Sequence, residues 1–291
     1  MMTATQKIGV IGLGLMGRAM AARLIQAGFS VVGYDVSAEA MERAARLGVE
    51  TVPDATVVAR RCTCMLLSLF SSENRKELFW GAQALAQALS PGAAVLDTTT
   101  GSPEDLEEDA RRLAENGVTL VDVCLSGSSQ VMEEGRAIAL VGGAAMDARC
   151  EAVLQAISMA QYYFDAPGQG CRVKLIVNLV FGLHRLVLAE ALGFARSAGF
   201  DPATILEILK AGETYSVAMD TKGPKMLAGV YEPAVARLGQ HAKDVALILD
   251  YARRVSAKVP VTETHARLID ALVADGFGGL DNAAIFKAYG E

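Results

Sequence analysis

Two residues able to handle a polar ligand stand one helical turn apart in a very apolar part of the chain, Lys174 and Asn178. Gly168-Gln169-Gly170 opens this stretch, and a helical pattern then runs to about residue 198. A spacing of four stacks both side chains on one helical face. An ammonium group and an amide among Leu175, Ile176, Val177 and Leu179 are costly to bury without partners, which points to a cleft. The alternative is a lysine that snorkels at the helix start beside a satisfied core amide.

A second group could hold phosphates. Lys7-Ile8-Gly9-Val10-Ile11 is a short strand-like run that ends in Gly12-Leu13-Gly14-Leu15-Met16-Gly17, and helical periodicity follows to Ala27. Strand, glycine turn and helix are the context a dinucleotide-binding turn requires. Gly12 allows the tight turn, Gly14 lets the backbone approach a pyrophosphate, and Gly17 lets the helix lie close to the strand. The helix N-terminus then offers free N–H groups to the phosphates. Roughly 20 residues on, a second strand ends in Asp35, where an acid accepts from the adenosine ribose hydroxyls and repels a 2′-phosphate. NAD is therefore favoured, with NADP possible. Asp35 could instead cap the helix that begins near Ser37.

The elements that would position these groups alternate. Strands are expected over residues 7–11, 30–35, 49–52, 62–69, 93–97, 118–123, 137–141 and 162–164, with helices over 18–27, 37–47, 53–61, 102–116 and 146–158, and one or two over 72–89. Such alternation predicts a doubly wound, mostly parallel sheet with ligands beyond the carboxyl ends of its strands. Ser68-Leu69-Phe70 and Thr98-Thr99-Thr100-Gly101 fall at two of those ends, where hydroxyls could reach the nicotinamide portion or serve as caps and turns. Ser126-Gly127-Ser128-Ser129 follows a later strand. It reads as an anion-holding nest for a carboxylate or as an ordinary polar loop.

Beyond residue 170 the pattern is helical throughout, over 168–198, 201–210, 215–227, 238–254, 262–275 and 282–289. The fold class is thus α/β: an N-terminal domain of residues 1–165, a long interdomain helix over 168–198, and an all-α C-terminal domain within 166–291. Lys243-Asp244 interrupts an apolar helix, as a solvated turn or as part of a site.

Composition narrows the function classes. The 291 residues are 52% hydrophobic and the mean hydropathy is +0.30, apolar enough to suggest surface buried between subunits of a homodimer or homotetramer. A net charge of -6 without a basic tract argues against nucleic acid or an anionic membrane as partner, and favours a small-molecule ligand. The N-terminal segment of residues 1–7 lacks the layout of a secretory signal. The apolar run over 175–195 carries Asn178, His184, Arg185 and Glu190, too many polar groups for a comfortable membrane span. Five irregularly spaced cysteines suggest neither a disulfide framework nor a metal site, so a reducing cytoplasm is expected.

The combination of Gly12-Leu13-Gly14-Leu15-Met16-Gly17, residues 97–103, the Ser126-Gly127 turn, Gly168-x-Gly170-x-x-x-Lys174-x-x-x-Asn178 and Lys243-Asp244, in that order, resembles the β-hydroxyacid dehydrogenase family, whose members include 3-hydroxyisobutyrate dehydrogenase and tartronate semialdehyde reductase. The resemblance implies a Rossmann domain joined by a long helix to a helical domain, with the active site in the cleft between them. It implies Lys174 as the catalytic lysine and Asn178 as a residue that holds substrate, orienting its hydroxyl or the lysine. Ser126, Gly127 and Ser128 would hold substrate, Thr100 would contact the nicotinamide portion, and Lys243 would reach the cofactor or the substrate; Ser68 and Leu69, from their place at a strand end, are counted with the cofactor contacts. A free lysine has a pKa of about 10.4, which burial and the positive nicotinamide ring would lower toward a useful range. Three positions depart from the family pattern: Cys124 where a proline is usual, Ser128 in place of a glycine, and Leu69 in place of a proline. These touch substrate and nicotinamide contacts and leave the particular substrate open. Imine reductases share the fold and usually lack the lysine, so Lys174 argues against them.

Overall fold

Runs of apolar, often β-branched residues form the central strands here because both faces of those strands can be covered. The computed structural model describes residues 6–143 and 146–290, so residues 1–5 of the N-terminal segment lie outside the described residues. The strands are Lys7–Ile11 (β1), Ser30–Tyr34 (β2), Glu50–Thr51 (β3), Cys64–Leu67 (β4), Ala94–Asp97 (β5), Thr119–Ser126 (β6), Ile138–Gly142 (β7) and Ala160–Phe164 (β8). They form one sheet in the order β3-β2-β1-β4-β5-β6-β7-β8, parallel except for the β6–β7 pair. Chain order reverses between β1 and β4, so the strand ends beside that switch point form the place where such sheets take ligands.

The helices between them are Leu15–Gln26 (α1), Ala38–Arg46 (α2), Ala55–Arg61 (α3), Ser72–Trp80 (α4), Leu85–Ala88 (α5), Pro103–Ala114 (α6), Ser129–Glu133 (α7) and Ala148–Ile157 (α8). Most begin where a short polar side chain accepts from an orphan N–H: Ser37 from Ala40, Asp54 from Val57, Ser71 from Asn74, Ser102 from Asp105 and Asp147 from Cys150. Ile8, Val10, Leu66, Leu96, Val121 and Val123 lie in the core between the layers. Each fully buried side chain of this kind contributes about 1.5–3 kcal/mol.

The chain divides into two compact units, Met1–Lys174 and Leu175–Glu291, and the division falls inside the helix Gln169–Ser197 (α9). By length and composition alone α9 could cross a membrane. In the second unit Leu186, Leu188, Ala189 and Leu192 of α9 join a core shared with Pro202–Ala211 (α10), Val217–Ala228 (α11), Leu238–Arg254 (α12) and Pro260–Ala274 (α13). Asp281, fully buried, accepts from Lys222 Nζ at 2.8 Å, Lys225 Nζ at 3.0 Å, Val235 N at 2.9 Å and Ala283 N at 3.0 Å. Burial alone would raise its pKa. The lysines and backbone donors outweigh that and hold it at about 2.

Local differences from the sequence reading have local causes. The last helix, Asn282–Tyr289, winds as a 3-10 helix, its residues 282–286 all buried and its start tied down by Asp281. The one-turn helix α7 has no apolar periodicity to announce it. The strand expected to end at residue 123 runs on to Ser126 because β7 pairs with it as far as Ser126↔Ile138. Over 72–89, where one or two helices were expected, there are two, separated by a break at which Ala84 sits at a positive φ of 44°.

Candidate active site

The glycine turn has the shape its sequence requires. Gly12 has φ of 92°, and a Cβ there would stand 2.2 Å from the Ser68 carbonyl oxygen, while a Cβ on Gly17 would stand 1.8 Å from that of Gly12. Around Gly14 an added Cβ would meet nothing within 4 Å, so the backbone is open to a large ligand at that point. Gly14 and Leu15 are exposed, Met16 is half-buried, and no side chain caps the start of α1. The first N–H groups of that helix are therefore left for phosphate oxygens. Asp35 accepts from Leu13 N at 2.6 Å with one carboxylate oxygen and from Ser37 N at 2.8 Å with the other. It is the brace of the loop, and the cap of α2 is Ser37 instead. The residues fit a dinucleotide.

Beside this turn the ends of β4, β5 and β6 are cross-linked. Leu69 N donates to Thr99 Oγ1 at 3.1 Å, a bond that the proline usual at this position would lack. Thr98 Oγ1 donates to the Leu67 carbonyl at 2.7 Å, and Thr99 N to Asp97 Oδ1 at 3.0 Å. Ser68 and Thr100 are left half-buried at the rim. Asp97 is fixed from behind by Arg75, whose guanidinium reaches Asp97 and Asp109 at 2.8 Å each, all three side chains being fully buried or nearly so. Burial works against the Arg75 charge, but the two carboxylates win and raise its pKa. Trp80 Nε1 completes Asp109 at 2.7 Å.

At the end of β6 Gly127 has φ of 144° and a Cβ there would press on Val131 at 2.8 Å, so glycine is required. Ser128 accepts from Val131 N at 3.3 Å as the cap of α7. Its departure from glycine thus has a structural use. Cys124, in the place of a proline, packs its sulfur 3.4 Å from that of Cys171 on α9.

Lys174 is 8% exposed, on the second turn of α9. Asn178 follows one turn later and donates to Asp244 Oδ2 at 3.2 Å, and the neighbouring Lys243 Nζ lies 3.3 Å from Asp244 Oδ1. Asn178, Asp244 and Lys243 are thus linked. Glycine turn, Asp35, Ser68, Leu69, Thr100, Ser126, Gly127 and Ser128 all lie at or just beyond carboxyl ends of strands in the first unit, to which Lys174 also belongs. One residue of the first unit escaped the sequence reading, Asp122; Asp244 of the second unit was singled out with Lys243, but not as the partner of Asn178. Asp122 is a carboxylate within an apolar run, a signal that it must find donors.

Sheet order, glycine turn and acidic brace define a dinucleotide-binding protein of the Rossmann class. Residues 7–166 match the family described as the NAD binding domain of 6-phosphogluconate dehydrogenase, and residues 168–289 match the NAD-binding domain of NADP-dependent 3-hydroxyisobutyrate dehydrogenase. The chain is 30% identical to L-threonate dehydrogenase of Cupriavidus necator, over 98% of this chain and 96% of that one. It is 28% identical to 2-(hydroxymethyl)glutarate dehydrogenase of Eubacterium barkeri, over 97% and 94%. Among solved structures, 3-hydroxyisobutyrate dehydrogenase from Salmonella typhimurium superposes with a TM-score of 0.89 at 24% identity, covering 97% of this chain and 99% of that one. The chain belongs to the β-hydroxyacid dehydrogenase family. It is an NAD(P)-dependent oxidoreductase of small hydroxy acids.

Proposed function

We propose that this chain interconverts a small β-hydroxy acid of the 3-hydroxyisobutyrate kind and its aldehyde or ketone, with Lys174 as general acid/base. The observation that carries the reading is the burial of Lys174 on a helix whose first turn is fastened to β6, the strand that ends in Ser126-Gly127. NAD(P), when bound, supplies the hydride acceptor or donor. The Gly12, Gly14 and Gly17 backbone with the open end of α1 holds its phosphates, Asp35 its adenosine ribose, and Ser68, Leu69, Thr100 and Lys243 its other contacts. Ser126, Gly127 and Ser128 anchor the substrate carboxylate. Lys174 takes the hydroxyl proton as the carbinol carbon is oxidised and returns it in the reductive direction, and Asn178 orients the hydroxyl or the lysine.

The test is turnover of L-threonate, 3-hydroxyisobutyrate and 2-(hydroxymethyl)glutarate with NAD and with NADP, read by the near-ultraviolet absorbance of the reduced cofactor. Lys174→Ala should lower kcat by about two orders of magnitude while NADH affinity holds. Near-normal turnover in that variant removes the lysine from the mechanism.

The cytoplasm is the compartment this reading favours, supported by five cysteines that are all buried free thiols. Recovery of the native protein in a membrane or secreted fraction would overturn it.

A further inference from the structure

Asp122 stands in the middle of β6 with its carboxylate wholly buried. One oxygen accepts from Gly168 N at 3.1 Å and the other from Cys171 N at 2.8 Å, two donors at the opening turn of α9. The surrounding backbone is shaped to admit it. A Cβ on Gly170 would lie 2.5 Å from the Leu140 carbonyl oxygen and 2.8 Å from Asp122, and a Cβ on Gly142 would lie 2.3 Å from the same carboxylate. Strand, carboxylate and helix start therefore meet without slack, and Lys174 follows Cys171 by one turn. How the first turn is rotated decides where the lysine points.

We propose that Asp122 is the positioning residue of Lys174, its ionised carboxylate setting the start and rotation of α9. The inference rests on Lys174 being the acid/base. An anion at a helix N-terminus is favourable, and two charge-assisted bonds from one carboxylate define an angle as well as a distance. The titratable groups around it are Asp97, its register partner on β5, which is itself paired with Arg75 of α4, and the thiols of Cys124 on β6 and Cys171 on α9. On β7 its register partner is Gly142. Burial, against the pull of the two N–H donors and with a push from Asp97, raises the Asp122 acid to about 6. Once protonated, the carboxyl can no longer serve both donors as an anion, so the cap weakens on mild acidification.

The experiment compares Asp122→Asn with the parent and with Lys174→Ala, using whichever acid of the panel above turns over fastest. Asp122→Asn keeps the shape and loses the anion. Its kcat should fall roughly tenfold with NADH affinity unchanged, and the acidic limb of the kcat profile near pH 6 should flatten. A merely structural role would lower the yield of folded protein without moving that limb. A kcat within about twofold of the parent, with the parent's pH profile, overturns the inference, while a dead Lys174→Ala in the same series leaves the proposed function standing. Near-normal turnover in Lys174→Ala overturns both. Should Asp122→Asn not fold, or no acid in the panel turn over, hydrogen exchange on the parent protein decides: protection of the Cys171 amide should fall about tenfold from neutral pH to about pH 5 relative to amides in α1. Constant relative protection overturns the inference.

Discussion

We propose that a single carboxylate, Asp35, carries the choice between NAD and NADP. Asp35 is held by Leu13 N and Ser37 N, so it is fixed in place before any ligand arrives. The following residues, Val36-Ser37-Ala38-Glu39-Ala40, bring no cation that could accept a 2′-phosphate. Bringing that phosphate against a fixed carboxylate costs several kcal/mol, which is a discrimination of at least about a hundredfold. Asp35→Ser should therefore lower the ratio of kcat/KM for NAD over NADP by roughly tenfold or more, even as the loosened loop weakens both. An unchanged ratio would mean that Asp35 only braces the turn. The same scale explains the departures from the family pattern: the Leu69 N–H and the Ser128 hydroxyl each make a bond that the usual residue cannot.

Elements meet closely where side chains are missing. In the second unit a Cβ on Gly182 of α9 would lie 2.9 Å from His241 of α12 and 3.1 Å from His265 of α13. That approach buries Arg185, His241 and His265 together, with Arg185 Nη2 2.8 Å from His241 Nε2 and the two imidazoles 5.1 Å apart. Burial, aided by the Arg185 charge, lowers the His265 pKa to about 4. In the unfolded chain a histidine titrates near 6.5. The unfolded state thus binds its proton first as pH falls. The stability this neutral imidazole represents is complete above about pH 6.5 and is lost toward pH 4, about 3 kcal/mol in all. Between pH 7 and pH 5 His265→Phe should lose about 2 kcal/mol less than the parent in urea unfolding of the helical unit. Equal losses would show that His265 is not neutral in the fold.

For the whole molecule, assembly is the open property. We propose a homo-oligomer, dimer or tetramer. Val180, Val187 and Phe194 recur every seventh residue along α9 and are 46%, 60% and 75% exposed, a stripe suited to burial against another copy. Light scattering of dilute protein should return a multiple of the 30.6 kDa chain mass, and Val187→Asp with Phe194→Asp should reduce it. A parent protein that runs at one chain mass at all concentrations ends the proposal.

Much of this protein is written in local sequence. Glycines at 12, 14 and 17 between a strand and a helix specify a tight turn with an uncapped helix start, because a Cβ at 12 or 17 would strike backbone. Alternating periods of two and 3.6 dictate the sheet and its helices. The purely helical pattern after residue 170 likewise set the second domain. Tertiary packing decided the rest, because it depends on partners far apart in the chain. Nothing near Asp122 in sequence says that its acceptors will meet Gly168 and Cys171. Nothing near Leu69 points to Thr99, and nothing around Asn178 points to Asp244. A buried polar group announces that it needs a partner; only the folded chain names which one.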